Sequence, residues 1–286
     1  MDIYLLEAVI NGILLGGVLA LLALGLNLIF GVIDVTWICY AELVMIGMYG
    51  MYYLVQYFGV PYYVAAPITI LLVASLGALL HLLVIAPLLS APPINQLLAT
   101  GGVLFFLQSF ATVAFGIEFR NLGILLPVLA LGDMNFSYAR LLAFGAALIG
   151  MVAVYVFMRK TYVGTAIRAI AQDRQIMVLM GVDSRRLYLI TSALGGALAG
   201  LSACLLVLMY DVHPFIGLSI GPITFLICVL GGLGNFVGGF VAAFVFAEII
   251  SLGGLFSDLE WGYVLAFVFF IIMMFVRPGG LLARRQ

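Results

Sequence analysis

Long apolar runs separated by short polar connections occupy almost the whole chain. The runs cover residues 5–31, 38–58, 62–86, 94–116, 138–158, 187–209 and 258–277. Most approach ~20 residues, the length of a helix that crosses the hydrocarbon core of a bilayer. Because lipid cannot satisfy backbone polar groups, we expect these runs to be transmembrane helices.

Residues 218–252 form one further apolar stretch, which is too long for a single crossing. A glycine-rich break at 231–239 predicts two short, discontinuous segments, which either cross twice or dip in and return. We therefore predict an all-α polytopic membrane protein, with a single domain over 1–286 and about eight to nine transmembrane segments.

The composition agrees with this class, because 66% of the residues are hydrophobic and only 8% are charged. A soluble domain carries roughly 25% charged residues. The three cysteines lie in apolar runs without a C-x-x-C pair, so we expect neither disulfides nor a metal site. No feature points to a cofactor or to nucleic acid.

Basic residues are concentrated in one connection, residues 159–186, which holds six of the eleven: Arg159, Lys160, Arg168, Arg174, Arg185 and Arg186. Three more lie near the C-terminus. By the positive-inside rule, both regions are expected on the cytoplasmic side. Counting crossings backward then places the N-terminus outside, provided that 32–37 turns inside or within the membrane.

The basic connection also has helical periodicity. Over 162–172, a helix would place an apolar face within an arc of about 140°. The residues of this face are Val163, Ala166, Ile167, Ile170 and Ala171. Arg168 and Gln172 would lie on the opposite face.

Capping residues divide the rest of the connection. Asp173 is a suitable N-cap for a second short helix that begins at Arg174, and Gly181 can end that helix in a left-handed conformation. Asp183 can cap the next transmembrane helix. A connection that only fixes topology needs about 2–8 residues. The capped, amphipathic order instead favours a docking surface for another protein.

Small residues recur at four-residue spacing, at Gly12 and Gly16 and again at Gly196 and Gly200, which favours close helix packing in lipid. The glycine run at 229–239 follows no strand, so it does not predict a nucleotide-binding loop.

Four ionisable residues lie in or beside the apolar runs: Asp34, Glu42, His81 and Glu248. Such residues are costly at membrane depth and usually mark a pathway or a pair. Glu42 is the strongest candidate for a pathway, with a structural hydrogen bond as the alternative. His81 lies near the end of an otherwise apolar run, so we expect it to be a packing residue rather than a proton relay. Glu248 can instead be exposed near the outer surface, and Asp34 falls in the break between the first two runs.

The segment G-T-A-I-R-A-I-A-Q-D-R-Q-I-M-V-L-M-G-V-D (164–183) resembles the cytoplasmic signature of ABC-importer permeases of the branched-chain amino acid, LivH type. Further motifs agree in order: N-G-I-L-L-G-G-V-L-A-L-L-A-L-G-L-N-L-I-F-G-V (11–32), E-L-V-M-I-G (42–47), V-L-G-G-L-G-N-F-V-G-G (229–239) and R-P-G-G-L-L (277–282).

The resemblance implies a permease subunit in a bacterial cytoplasmic (inner) membrane. Its partners would be a related second permease, two ATP-binding cassette subunits and a periplasmic solute-binding protein. The ATPases would dock on the two short helices, through Arg168, Asp173, Arg174 and Gly181.

The resemblance fails at 37–41, where the family often has N-F-A-H-G and this chain has W-I-C-Y-A. If this segment lines the path, Trp37 and Tyr40 make it more apolar, and Asp34, Glu42 and His81 are further pathway candidates. The solute would then be a hydrophobic amino acid or another small organic solute. Alternatively, Trp37 and Tyr40 only pack or anchor at an interface.

The sequence leaves two other classes of function as alternatives to an importer subunit. An ion-coupled secondary transporter is the alternative, since broken helices and membrane carboxylates are typical of it. An intramembrane enzyme has less support, because the sequence has no H-E-x-x-H motif and no paired catalytic aspartates.

Overall fold

The computed structural model describes residues 2–124, 128–131, 134–172, 177, 180–256, 259–277 and 279–281. The helices of this part are α1 Asp2–Ile33, α2 Tyr40–Gln56, α3 Tyr62–Leu80, α4 Pro93–Phe115, α5 Tyr138–Lys160, α6 Tyr162–Gln172, α7 Ser184–Leu206, α8 Ile216–Gly231, α9 Phe236–Phe256 and α10 Leu259–Val276. Helix α3 continues through a π-helical turn, His81–Ile85, into Ala86–Leu88.

Within the described residues, six helices are long and apolar enough to cross a membrane: Tyr4–Ile33, Tyr62–Leu88, Pro93–Phe115, Tyr138–Lys160, Ser184–Leu206 and Phe236–Leu255. The first five fall on predicted runs, which confirms a polytopic helical membrane protein. Helices α2, α8 and α10 are shorter, so the total of eight to nine crossings stays a prediction.

The stretch 218–252 folds as two helices joined by a narrow turn, α8 and α9. Helix α9 has 21 residues, so the prediction of two short segments is wrong for this half. The two helices run in opposite directions along α1. Near the turn Gly239 lies beside Asn27, farther along α9 Glu248 lies beside Gly12, and the Cys228 thiol donates to the Ala23 carbonyl oxygen of α1.

A small β-hairpin precedes α5, which the all-α prediction did not include. Its strands are β1 Val128–Leu131 and β2 Met134–Ser137, paired antiparallel with Val128 opposite Ser137. Four-residue strands have too little alternation to stand out in a connection flanked by long apolar runs.

The glycine spacing serves close packing, as predicted. A Cβ atom on Gly196 would lie 2.6 Å from the Val73 carbonyl oxygen, and one on Gly200 would lie 2.9 Å from the Ile70 α-carbon. Helices α7 and α3 therefore meet backbone to backbone. Gly16 of α1 similarly accommodates the Phe244 ring of α9.

Helix α6 and the C-terminal segment lie at the same end of the bundle. The Leu281 amide donates to the Leu230 carbonyl oxygen at 2.7 Å, beside the α8–α9 turn. In that turn, Gly234 contacts Gly31 and borders a cleft with Ile167 of α6. The two regions thus lie at one end of the described bundle, and their cytoplasmic location stays a prediction.

Candidate functional site

The chain reverses direction directly after α1. Asp34 has a φ of +58°, a left-handed conformation that is rare outside glycine. The following residues return into the bundle, where Val35 and Trp37 are 2% and 1% exposed. Helix α2 begins at Tyr40, whose hydroxyl lies against Gly25, about two turns before the end of α1. Helix α2 therefore starts inside the protein.

The first turn of α8 meets the first turn of α2. The Glu42 carboxylate lies against Gly217, and a Cβ atom on Gly221 would be 3.2 Å from that of Ala41. Neither helix has a side-chain cap at its N-terminus. Helix N-termini carry a partial positive charge, so two of them favour a carboxylate at this position.

Three buried polar groups in this region lack a hydrogen-bond partner among the described residues. They are the Glu42 carboxylate, the Trp37 indole nitrogen and the Tyr40 hydroxyl. All three side chains are at most 2% exposed. Burying polar groups without partners is unfavourable, so these atoms are candidates for contact with a polar ligand.

A cavity of about 360 Å³ opens beside these groups. We call it the Trp37 cavity; its walls come from α1, the returning segment, α2, α4 and α8: Leu26, Thr36, Trp37, Ile38, Tyr40, Ala41, Leu97, Leu104, Gly217, Leu218, Gly221, Pro222, Thr224 and Phe225. Its volume lies in the range of small-molecule sites. The structure thus brings Trp37 and Tyr40 to one cavity, with Glu42 beside it.

Two predicted pathway residues lie elsewhere. Asp34 is exposed and borders a separate cleft of about 660 Å³, together with Arg168 and Gln172 of α6. We call this the Asp34 cleft. The left-handed turn explains the separation, because it points Asp34 to the end of the bundle and sends Trp37 inward.

His81 is buried at the start of the π-helical turn of α3. Its Nδ1 atom lies 3.0 Å from the Ser192 hydroxyl oxygen, and its ring contacts that of Tyr188. Its Nε2 atom is buried without a hydrogen-bond partner among the described residues, so the packing role of His81 stays a prediction. Glu248 is half-buried against Gly12 rather than exposed at the outer surface.

Helix α6 has the limits that the sequence predicts, Tyr162–Gln172. Ile167 and Ile170 are buried at 0% and 3% exposure, while Arg168 and Gln172 are exposed. Ala171, predicted on the apolar face, is exposed as well. The helix thus packs by its aliphatic stripe and presents a polar face outward.

The second half of the connection is described only in part. Asp173 and Arg174 lie outside the described residues, so the second short helix stays a prediction. Gly181 has a φ of +81°, the left-handed conformation expected of it. Asp183 caps α7 as predicted, since its carboxylate accepts hydrogen bonds from the amides of Arg185 and Arg186 at 3.1 and 3.3 Å.

A cavity that the sequence did not predict lies toward the end of the bundle opposite α6. We call it the Tyr263 cavity; its volume is about 600 Å³. Its walls are mostly apolar: Leu15, Leu19, Leu22, Phe119, Leu206, Ile216, Leu218, Ile220, Pro222, Ile223, Ile250 and Phe267. Its polar side chains are Tyr210, Asp211, His213, Ser219 and Tyr263.

Two connections border the Tyr263 cavity and are tied together. Arg120 and Val212 exchange two backbone hydrogen bonds, and the Asn121 amide donates to the Asp211 carboxylate at 2.7 Å. The rings of Phe119 and His213 lie 4.6 Å apart. Burial lowers the pKa of the His213 imidazole, and the nearby Asp211 carboxylate opposes that shift.

The residues at the edge of this cavity read G-L-S-I-G over 217–221, which fits the G-x-S-x-G spacing of serine hydrolases. That motif requires a sharp strand-to-helix turn. Here Ser219 lies within α8, and no hydrogen bond in the described structure joins it to His213. The geometry does not support a nucleophile.

Comparisons with known proteins place the chain among transport permeases. Residues 8–274 match the family described as the branched-chain amino acid transport system permease component. The chain is similar to the high-affinity branched-chain amino acid transport system permease protein LivH of Salmonella typhimurium, with 26% identity covering 99% of this chain and 97% of the relative. It is 27% identical to BraD of Pseudomonas aeruginosa, covering 98% and 96%.

A solved structure shares the overall fold. It is that of PsaBC from Streptococcus pneumoniae in complex with Fab, with a TM-score of 0.53 and 14% sequence identity. The similarity covers 94% of this chain and 91% of the other chain. At this identity the likeness concerns the fold alone.

Proposed function

Because this chain belongs to the family of branched-chain amino acid transport permeases, we propose that it is the membrane subunit of an ATP-driven importer. As a permease it is a transport subunit, and ATP would be hydrolysed by partner subunits. The solute is a branched-chain or other hydrophobic amino acid, or a related small organic solute.

The observation that carries the proposal is the position of α6. Helix α6 has 11 residues, too few to span a membrane, and its aliphatic stripe is buried against the spanning helices. Its exposed face offers Arg168, and short helices of this kind are recognised in grooves of other proteins. This supports α6 as the element that a partner ATPase holds.

The Asp34 cleft lies between α6 and the neighbouring part of the bundle. The cleft separates the polar edge of α6 from the end of α1 and from the α8–α9 turn at Gly234. Helix α6 packs directly against α1, so a displacement of α6 would act on α1, which borders both cavities. By the sequence prediction, Asp173, Arg174 and Gly181 complete the docking surface.

The Trp37 cavity is the proposed inner part of the solute path. Its walls are chiefly apolar, and the polar atoms of Trp37, Tyr40 and nearby Glu42 have no partner in the described structure. An apolar wall with a few convergent polar groups suits a solute with a hydrophobic body and a polar head. Discontinuous helices whose N-termini converge on a path are typical of transporters.

The low burial of two helices supports a further membrane partner. Helices α4 and α5 are only 22% buried over their apolar windows, so they face lipid or another membrane protein. We propose that a second, related permease completes the path, with a periplasmic binding protein delivering solute. Two ATP-binding cassette subunits would drive alternation between outward-open and inward-open states.

Reconstitution tests this proposal. The chain is purified with its co-expressed partners, placed in liposomes with the periplasmic binding protein, and assayed for uptake of L-leucine, L-isoleucine and L-phenylalanine. We expect uptake of at least one of these amino acids, and we expect this uptake to require ATP on the side of the membrane where the ATPases lie. Uptake by the chain alone on an ion gradient would instead show the secondary transporter and overturn the proposal.

A further inference from the structure

We propose that the Tyr263 cavity is a second solute-binding site, specific for a small zwitterion with an apolar side chain. The inference rests on the proposed function and adds a site to it. The Trp37 cavity lies beside the start of α2, whereas this cavity lies between α8 and the two connections that hold Phe119 and Asp211.

The composition of the walls indicates the ligand class. Three aliphatic side chains of α1, namely Leu15, Leu19 and Leu22, form one side, and Ile220 and Ile223 of α8 contribute to another. This surface suits a branched or aromatic body. A volume of about 600 Å³ lies within the range of pockets that enclose small ligands.

The polar side chains cluster in one part of the wall. Asp211 supplies the acidic group, and one of its carboxylate oxygens is already fixed by the Asn121 amide. Tyr210 and Tyr263 both belong to this wall, and the buried Nδ1 atom of His213 has no partner among the described residues. A carboxylate set among hydroxyl and imidazole groups suits an ammonium group.

The first turn of α8 supplies the complementary charge. Three of its N-terminal residues, Ile216, Leu218 and Ser219, border the cavity, and Phe215 at the N-cap provides no side-chain cap. The Ile216 and Leu218 amides already donate to the carbonyl oxygens of His213 and Phe215, so the turn contributes chiefly its partial positive charge, which favours a carboxylate. With Asp211 nearby, the cavity can hold both ends of an amino acid.

Helix α8 separates this site from the Trp37 cavity, since Leu218 and Pro222 belong to the walls of both. Pro222 has no amide hydrogen, so the carbonyl oxygen one turn earlier at Leu218 loses its helical partner. The first turn of α8 is thereby less tied to the rest of the helix. A movement of this turn would join the two cavities.

Site-directed thiol labelling tests the site. Ser219 is exposed to the cavity, and Ser219→Cys is nearly isosteric. The native residues Cys39, Cys204 and Cys228 are buried, so a membrane-impermeant thiol reagent should react first with the new thiol. The assembled importer is labelled with and without L-leucine. Glu118→Cys, exposed on the Phe119 connection but not part of the wall, is the control.

L-leucine at about ten times its dissociation constant should slow Ser219→Cys labelling roughly tenfold, because the free fraction falls by that factor. Labelling of Glu118→Cys should stay unchanged. Leucine uptake without protection of Ser219→Cys overturns this inference and leaves the proposed function standing. Protection without uptake supports the site and contradicts the importer. Neither protection nor uptake contradicts both.

A second pair of variants tests the ligand class. Asp211→Asn should weaken L-leucine protection by about tenfold or more, since a charged hydrogen bond is lost. It should leave protection by the leucine analogue without an amino group, 4-methyl-2-oxopentanoate, unchanged. Asn121→Ala removes the tie to the connection but keeps the carboxylate. If both variants lose protection equally, and for both ligands, Asp211 has only a structural role. That result would overturn the assignment of Asp211 as the ammonium-binding residue.

Discussion

The carboxylate of Glu42 lies against the backbone of Gly217, so that the first turns of α2 and α8 meet inside the bundle. Each turn presents the positive end of a helix dipole. This arrangement gives a physical reason for a carboxylate at membrane depth, where charge otherwise costs at least ~2.5 kcal/mol. It also explains the glycine, because any side chain at 217 would overlap the carboxylate.

Gly217→Ala should destabilise the assembled importer. The added methyl group has no space beside Glu42, and overpacking of this kind costs typically about 1–3 kcal/mol. The thermal unfolding midpoint in detergent measures the effect. Gly145→Ala is the matched control, because a Cβ atom there meets nothing within 4 Å.

The overlap itself can be isolated with a double variant. Glu42→Ala makes room for the new methyl group, so Gly217→Ala should cost much less in that background than in the native chain. Equal costs in the two backgrounds would show that Glu42 and Gly217 do not interact.

Glu42→Gln should reduce uptake while leaving the complex assembled. The amide keeps the shape of the carboxylate but loses its interaction with the two helix N-termini, worth up to ~2 kcal/mol in partly buried settings. A loss near 1.4 kcal/mol corresponds to about tenfold in rate or affinity.

Uptake and co-purification of the ATPases, measured on the same preparation, test the Glu42 prediction. Glu260→Gln is the control, since Glu260 is an exposed first-turn glutamate of α10. If the complex with Glu42→Gln falls apart, Glu42 has a structural role only.

Asp183→Ala should lower stability by about 0.5–2 kcal/mol, the usual cost of losing an N-cap. The Asp183 carboxylate accepts from two first-turn amides of α7, and alanine offers no acceptor. Asp183→Asn keeps an acceptor and should remain close to the native chain. Its ion pair with Arg186 is largely exposed, so losing that charge costs little. Equal unfolding midpoints for both variants would contradict the cap.

Local patterns in the sequence were sufficient for much of the fold. The limits of α6 and the cap at Asp183 match the structure, because amphipathic periodicity and capping act over a few neighbouring residues. The apolar runs located five spanning helices for a similar reason, since each helix satisfies its own backbone. The pairing of Gly196 with α3 follows from small-residue spacing.

The sequence could not predict which residues share a cavity, because this depends on packing between residues that are distant along the chain. Asp34 and Trp37 are three positions apart, yet the left-handed turn at Asp34 sends them to different cavities. The walls of the Tyr263 cavity come from Leu15, Phe119 and Phe267, which no local pattern relates. The wall residues become neighbours only when α1, α8 and α10 pack together.

The number of solute molecules taken up per ATP hydrolysed reports directly on the coupling role of α6. We propose that the exposed face of α6 couples the ATPases to the path. Arg168→Glu is compared with Arg159→Glu, which makes the same charge change at the end of α5, where Arg159 bonds the Tyr155 hydroxyl.

Like charges brought together at a protein interface cost several kcal/mol. Reversing the charge with Arg168→Glu should therefore reduce uptake per ATP more than about tenfold or release the ATPases. Arg159→Glu should couple like the native chain. Native coupling by Arg168→Glu, with the ATPases still bound, would contradict the account.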